Sequence, residues 1–347
     1  MTASLSYERC GVVLAPNGSP HEAEGVLNPG IARDRCGKLL MYPRMVAAGN
    51  VSRIGLATSR DSDDAGAFER VGMVLEPHAE YELRTSLGGF GCEDPRVTFV
   101  PRLDAYVMAY TAFGPHGPRI ALATSPDGYT WTRLGRVEFA DDAFNHVPNK
   151  DAAFFPEIVL SPAGVPSFAF YHRPMLKESM NGQAPISLIL SLPPERREVT
   201  SIAYVPAEQA MSDPRALCLA LESVRVLEVG DDWGRLKNGC GTPPVRTEAG
   251  WLSVFHAVDA RRYADGTSSL YYRAGLVLHE LERPHQLVYR SAEPFLEPVT
   301  LEERVGIVND VVFPTGIDPL GGGRYDLYYG AGDAKISRAR IDATFAA

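Results

Sequence analysis

Ser52-Arg53-Ile54-Gly55-Leu56-Ala57-Thr58-Ser59-Arg60-Asp61 is matched, with small changes, by Pro118-Arg119-Ile120-Ala121-Leu122-Ala123-Thr124-Ser125-Pro126-Asp127. Arg53 and Arg119 stand 66 positions apart (119 − 53). Each copy follows another apolar segment, 38–42 before the first and 105–111 before the second. Two strands joined by a Gly- or Pro-bearing loop form a hairpin, and a hairpin that recurs marks a recurring structural unit. The pairing continues down the chain: 167–172 with 186–192, 252–258 with 270–281, and 325–329 with 335–341. Helical periodicity is scarce; 206–221 is the best helical candidate, and Pro214 interrupts it. The 27 prolines and 32 glycines mark frequent turns. Five strand pairs without intervening helices predict an all-β chain. A single five-bladed β-propeller domain over residues 1–347, with the active site in its central channel, accommodates the repeat. The alternative, a β-sandwich, would not require the same string at blade-sized separation.

The totals exclude several partners. A net charge of −9 and a pI near 5.5 argue against nucleic acid, whose phosphates need a basic surface. No apolar run approaches the ~20 residues that span a bilayer, and the first sixteen residues lack a secretory pattern. Cys10, Cys36, Cys92, Cys218 and Cys240 are odd in number and show no CxxC spacing. This usage predicts a reduced, cytoplasmic chain with neither a disulfide framework nor a zinc or other metal site. Cys92 reads as a small buried residue of a tight loop rather than a reactive thiol.

Gly88-Gly89-Phe90-Gly91-Cys92-Glu93-Asp94-Pro95-Arg96 leads into the strand-like run 97–100. Its glycines permit close approach to a ligand, and Pro95 biases Asp94 toward extended backbone, so a carboxylate can be presented from a loop pinned to a sheet. Glu93 and Asp94 read equally well as turn residues. Asn149-Lys150-Asp151 precedes an apolar pair and a proline, His172-Arg173-Pro174 ends one strand, Lys237 precedes a Gly/Pro-rich loop, and His256 ends another strand. Singly these are surface charges or satisfied histidines. At equivalent blade positions they could line one side of a channel as an anion site. Asp333, in Gly330-Ala331-Gly332-Asp333, repeats the glycine-then-carboxylate pattern, and Asn28-Pro29-Gly30 with Arg44 and Arg53 would add donors from the first blade. Such a mixed donor and acceptor set suits sugar hydroxyls. Ser125-Pro126-Asp127-Gly128-Tyr129-Thr130-Trp131 resembles the Asp-bearing turn of sialidase-type propellers and is read as a folding device.

Taken in order, the segments LNPG (27–30), SRIGLATS (52–59), CEDPRVTF (92–99), NKDAAFFPE (149–157), YHRP (171–174), GTPPVRTEAGWLSVFH (241–256), GIVNDVVFPTG (306–316) and LYYGAGD (327–333) resemble the β-mannoside phosphorylases of glycoside hydrolase family 130. The resemblance implies a cytoplasmic five-bladed propeller that cleaves β-1,4- or β-1,2-linked mannosides with inorganic phosphate as co-substrate and no cofactor, giving α-mannose 1-phosphate. It implies Asp94 as general acid, acting through a sugar hydroxyl, and Lys150, Arg173, Lys237 and His256 as the cationic phosphate site. Asn28, Arg44, Arg53 and Asp333 would hold the sugar, with Glu93, Arg96 and Asp151 as further substrate contacts. Partners are then a β-mannoside and phosphate, with neither nucleic acid nor membrane, and homo-oligomerisation is left open. His279 stands where an aspartate is usual, Cys240 where a small residue is usual, and 177–185 aligns with nothing in the pattern. The other readings are a hydrolase using Glu93 or Asp151 as base, a propeller glycosidase with carboxylates from three blades, and a non-catalytic sugar-binding propeller.

Overall fold

A computed structural model describes residues 2–60, 65–84, 88–263, 266 and 268–346; Asp61, the last residue of the first repeat copy, lies outside them. Blade I comprises the strands Gly25–Arg33, Leu39–Ala47, Val51–Ser59 and Phe68–Leu75, and blade II Phe90–Val100, Ala105–Gly114, Gly117–Ser125 and Thr132–Arg136. Blade III comprises Asn149–Phe154, Pro166–Pro174, Ser201–Pro206 and Glu222–Arg225, and blade IV Lys237–Cys240, Gly250–Arg262, Ser268–His279 and Leu287–Arg290. Blade V comprises Val312–Gly321, Arg324–Ala331, Lys335–Ala346 and, as its outermost strand, Thr2–Leu14 from the other end of the chain. This is a five-bladed β-propeller.

Apolar side chains on both faces of the blades put the core between them. Leu40 and Ile54 of blade I pack with Val97 and Met108 of blade II. Val107 and Ile120 meet Phe154 and Phe170 of blade III, and Tyr171 and Ile202 meet Trp251 of blade IV. Leu252 and Leu276 meet Leu327 and Ile341 of blade V, which returns to Val26 and Met41 of blade I through Tyr328 and Ile336. Each blade thus buries its two faces against two neighbours, which explains why the strands read as near-continuous apolar runs. The seam between Thr2–Leu14 and Lys335–Ala346 closes the ring. The first strands of neighbouring blades touch around most of the axis; between IV and V the contact passes through the second and third strands of blade IV.

One expected strand is a helix. Residues 186–192 form the α-helix Ile186–Ser191, and the third strand of blade III is Ser201–Pro206. A seven-residue apolar run fits either period. Here Pro185 starts the helix and only Ile189 is buried in it, while the free edge of Pro166–Pro174 is already paired. Residues 206–221 are helical in two pieces, Ala207–Ser212 and Pro214–Cys218, broken at Pro214.

The Asp-bearing turn is structural. Asp127 Oδ1 accepts from the amides of Tyr129 and Thr130 at 2.7 and 2.8 Å, and Gly128 O accepts from Trp131 Nε1 and from Tyr42 of blade I. Cys92 is buried, and desolvation raises its thiol well above the ordinary range.

Candidate active site

The same local device recurs in three consecutive blades. The first strand of each jumps register by two residues against one, between Leu27 and Gly30, Glu93 and Arg96, and Lys150 and Ala153. Each bulge contains one residue in left-handed backbone: Asn28 (φ 44°), Asp94 (φ 47°) and Asp151 (φ 59°). Asn and Asp tolerate this region best among residues with a side chain, and a bulge re-aims a side chain out of the pleat. The sequences LNPG, EDPR and KDAA are therefore three versions of one bulge.

Blades I, II and V build an acidic half. Asn28 Nδ2 donates to Asp94 Oδ1 at 2.8 Å, and Arg44 bridges two carboxylates, Nη1 to Asp94 Oδ1 at 3.0 Å and Nη2 to Glu93 Oε1 at 2.8 Å. Arg44 is itself fixed by Ser52 Oγ, which its Nε meets at 2.9 Å. Asp333, also left-handed (φ 53°), completes the group. Burial raises Glu93, which Arg44 only partly offsets, and burial together with the charge of Asp94 raises Asp333. Asp94 goes the other way: burial opposes ionisation, but Arg44, Lys150, Arg96 and the Asn28 hydrogen bond outweigh it and lower its pKa.

Blades II, III and IV build a basic half around the buried carboxylate of Asp151. Arg173 Nε donates to Asp151 Oδ2 at 2.6 Å, Arg96 Nη2 lies 3.4 Å from Asp151 Oδ1, and His256 Nε2 lies 3.5 Å from Oδ2. Burial of Asp151 is overcome by Arg173, Arg96 and Lys150, and its carboxyl stays far below the usual range. Lys237 is buried beside this cluster, and desolvation, then repulsion from Arg173, brings its ammonium down to about 7. The Lys150 side chain makes no hydrogen bond or ion pair among the described residues, yet its charge acts on Asp94 and Asp333 on one side and on Asp151 and Lys237 on the other. It stands between the two halves.

His256 departs from the expected cation. Desolvation lowers it to about 3, and neither ring nitrogen has a hydrogen-bond partner among the described residues. It is a neutral imidazole packed on Phe313, with a ring nitrogen available to a ligand. Gly239 packs directly against this cluster: a Cβ there would lie 2.2 Å from Asp151 Oδ2 and 2.6 Å from His256 Nε2, so only glycine fits.

Arg53 departs further. Neighbouring residues of a strand point to opposite faces, and Ser52 takes the face that meets Arg44. Arg53 instead pairs with Glu76 at 3.2 Å, and no hydrogen bond or ion pair joins it to Asn28, Arg44 or Asp94. His279 is a buried neutral core residue between Phe155 and Tyr171.

Three side chains at the site escaped the sequence reading. Tyr272 lies under Lys237, whose Nζ is 5.7 Å from the ring centroid, and its ring lies 6.1 Å from that of His256. Glu198 takes a hydrogen bond from Arg173 Nη1 at 2.9 Å, and Gln183 takes one from Lys237 Nζ. None of the three carried a signal: Tyr272 lies near the start of the second strand of its pair, Gln183 lies in 177–185, which aligns with nothing in the pattern, and Glu198 lies beyond it in the same connection. Among the described residues no group of three or more His, Cys, Asp or Glu is placed to hold a metal ion.

A model of a protein family described as beta-1,4-mannooligosaccharide phosphorylase matches residues 4–180 and 216–344. The chain belongs to glycoside hydrolase family 130. This family-130 chain is 28% identical over 295 residues to the 1,2-beta-oligomannan phosphorylase of Thermoanaerobacter sp. (strain X514), covering 84% of the chain and 79% of that relative. It is 29% identical over 289 residues to the beta-1,2-mannobiose phosphorylase of Listeria innocua, covering 83% and 66%. In fold it is similar to the solved Listeria innocua beta-1,2-mannobiose phosphorylase in complex with beta-1,2-mannobiose, with a TM-score of 0.71 at 22% identity over 94% of each chain. It is also similar to a mannose phosphorylase from Leishmania mexicana in complex with phosphate ion, with a TM-score of 0.59 at 15% identity over 96% and 87%. The family-130 match omits 181–215, the stretch that supplies Gln183 and Glu198.

Proposed function

We propose that the chain catalyses inverting phosphorolysis of β-mannosides, β-1,4- or β-1,2-linked, with inorganic phosphate as co-substrate and without a cofactor. One observation carries this above all: buried Arg173 and Lys237 gather with the neutral His256 around Asp151, and Asp94 belongs to a separate acidic group with Asn28 and Arg44.

Phosphate oxygens would be met by Arg173, Lys237 and Lys150, with His256 as a neutral donor. Sugar hydroxyls would be met by Asn28, Arg44, Glu93 and Asp333, while Arg96 and Asp151 hold the two groups in register. A phosphate oxygen forms the new bond to the anomeric carbon as the glycosidic bond breaks from the opposite face, and the departing oxygen takes a proton originating at Asp94 by way of a sugar hydroxyl. A hydrolase would need a second carboxylate base to activate water; phosphate is already anionic and needs only positioning and charge neutralisation.

Asp94 is ionised in the free protein, so its proton must be acquired as substrates bind. Phosphate supplies the means. An anion beside Lys150 cancels part of the positive field that keeps Asp94 ionised, and its proton affinity rises when the nucleophile is in place. The place of action is the cytoplasm, where the five unpaired thiols stay reduced. Relatives named as mannoside phosphorylases support this reading.

The deciding experiment incubates the protein with β-1,4- and β-1,2-mannobiose, with and without phosphate. Mannose 1-phosphate formed only with phosphate is the expected result; free mannose released equally in both conditions would mean hydrolysis.

A further inference from the structure

Residues 175–200 connect the second and third strands of blade III and touch the basic half at two points. At the first, Glu198, about 2% exposed, accepts from Arg173 Nη1 at 2.9 Å, from Ser179 Oγ at 2.6 Å and from the Leu176 amide at 3.0 Å. At the second, Gln183 accepts from Lys237 Nζ. The segment is anchored between these points, because Ala184 and Ile189 pack with Leu236 and Val258, which flank Lys237 in sequence and in register. The backbone joins too, with the Asn238 amide donating to Glu198 O at 3.1 Å.

We propose that Glu198 is a positioning residue of the phosphate site, and that the strap carrying Glu198 and Gln183 sets the separation of Arg173 and Lys237 and thereby the affinity for phosphate. This rests on phosphorolysis being the reaction. Arg173 has two of its three nitrogens tied, Nε by Asp151 and Nη1 by Glu198, leaving Nη2 without a protein partner among the described residues. A guanidinium held along two edges presents the third in a fixed direction. Were Glu198 neutral or absent, Arg173 would keep only Asp151 and could swing about that contact.

The strap also acts on charge. Lys237 is faced by Arg173 and Lys150, which drive its proton off, by Glu198 and Asp151, which retain it, and by the phenol of Tyr272. Glu198→Gln removes one of the two retaining charges, and Lys237 then loses its proton at lower pH.

The test measures phosphate Kd by calorimetry, and phosphate and mannoside KM from pH 6 to 8, for wild type, Glu198→Gln, Glu198→Asp and Gln183→Leu. Glu198→Gln is expected to raise phosphate Kd roughly tenfold, the size that follows loss of a charged partner from a buried hydrogen bond, with mannoside KM within twofold. Its phosphate KM should start to climb at lower pH than in wild type. Glu198→Asp keeps the charge and should keep the wild-type pH profile, which a purely structural role would not distinguish. Gln183→Leu, at a half-buried position, should raise phosphate KM alone. Unchanged phosphate Kd and pH profile in folded Glu198→Gln overturns the proposal, as does an equal loss for both substrates. Should Glu198→Gln fail to fold, unchanged phosphate KM in Gln183→Leu overturns it. A wild type that binds no phosphate overturns phosphorolysis itself; a wild type that binds it beside variants that match it sinks only the strap.

Discussion

Asn28 Nδ2 donates to Asp94 Oδ1 at 2.8 Å across a sequence separation of 66, and the two residues occupy the same bulge position of adjacent blades. The contact joins one copy of a repeated device to the next, so a single carboxylate oxygen is held by Asn28 and Arg44 together. The other oxygen takes no hydrogen bond from a side chain among the described residues. Asp94→Asn preserves the shape of this arrangement and removes the exchangeable proton. Turnover should fall by about 10²–10⁴-fold, the usual share of general acid catalysis, with mannobiose binding retained by calorimetry. A variant keeping a tenth or more of wild-type turnover would rule out Asp94 as the acid.

Gly239 faces Asp151 and His256 with no room for a methyl group. Gly239→Ala should raise phosphate KM by at least about tenfold, equivalent to ~1.4 kcal/mol of lost interaction, and leave mannoside KM nearly unchanged. The kinetic split locates the anion; equal effects on both substrates would place phosphate elsewhere.

Arg44 neutralises two buried carboxylates, Glu93 and Asp94. Arg44→Met should cost about 3–5 kcal/mol in urea unfolding at pH 7, as expected when one member of a buried ion pair is removed. Without the guanidinium Glu93, which burial already raises, rises further and Asp94 loses the largest of the charges that lower it, so the folded variant binds more protons than the folded wild type. The deficit should therefore shrink as pH falls from 7 toward 5 and grow as pH rises. A deficit independent of pH would show that Arg44 acts through packing alone.

His172, His256 and His279 are buried and neutral, depressed by desolvation to about 3, about 3 and about 4. Below the unfolded value near 6.5 the unfolded chain takes up protons that the folded chain refuses, so stability is lost as pH falls from about 6.5 toward 4. Each histidine contributes at most ~1.4 kcal/mol per pH unit to that slope. His279→Leu, away from the ligand site, should flatten the loss by about one proton when unfolding midpoints are compared between pH 7 and 5.

Lys237, brought down to about 7 by desolvation, would make anion binding at the proposed phosphate site depend on pH near neutrality. Sulfate, which does not titrate there, should compete with phosphate more strongly at pH 6 than at pH 8, because the ammonium form prevails below about 7. Lys237→Gln should weaken sulfate at pH 6 and flatten the profile; an unaltered profile would assign the titration to another group.

The local grammar of the fold was written in order along the chain. The recurring RI(G/A)LATS strand announced the blade, but the bulge shared by LNPG, EDPR and KDAA was not legible: Pro95 points to extended backbone at Asp94, whereas the register jump puts Asp94 in the left-handed region that Asn and Asp tolerate. Asp94 and Asp151 were picked out by their place before an apolar or strand-like run and Arg173 by its place at a strand end. In the structure the first two sit in the bulge and Arg173 pairs in register with Lys150, while Lys237 opens the first strand of blade IV, which has no bulge. What pattern could not supply was direction and pairing over distance. Arg53 shares the repeat with Arg119 yet turns its side chain to Glu76, because strand alternation gives the inner face to Ser52. His256 reads as a cation in sequence and is neutral in place, because its removal from water, with repulsion from Arg173, Arg96 and Lys237, outweighs the attraction of Asp151. Glu198, Gln183 and the closing strand Thr2–Leu14 acquire meaning only when the ring is formed: burial and closure depend on what lies opposite in space, and a one-dimensional period carries no record of that.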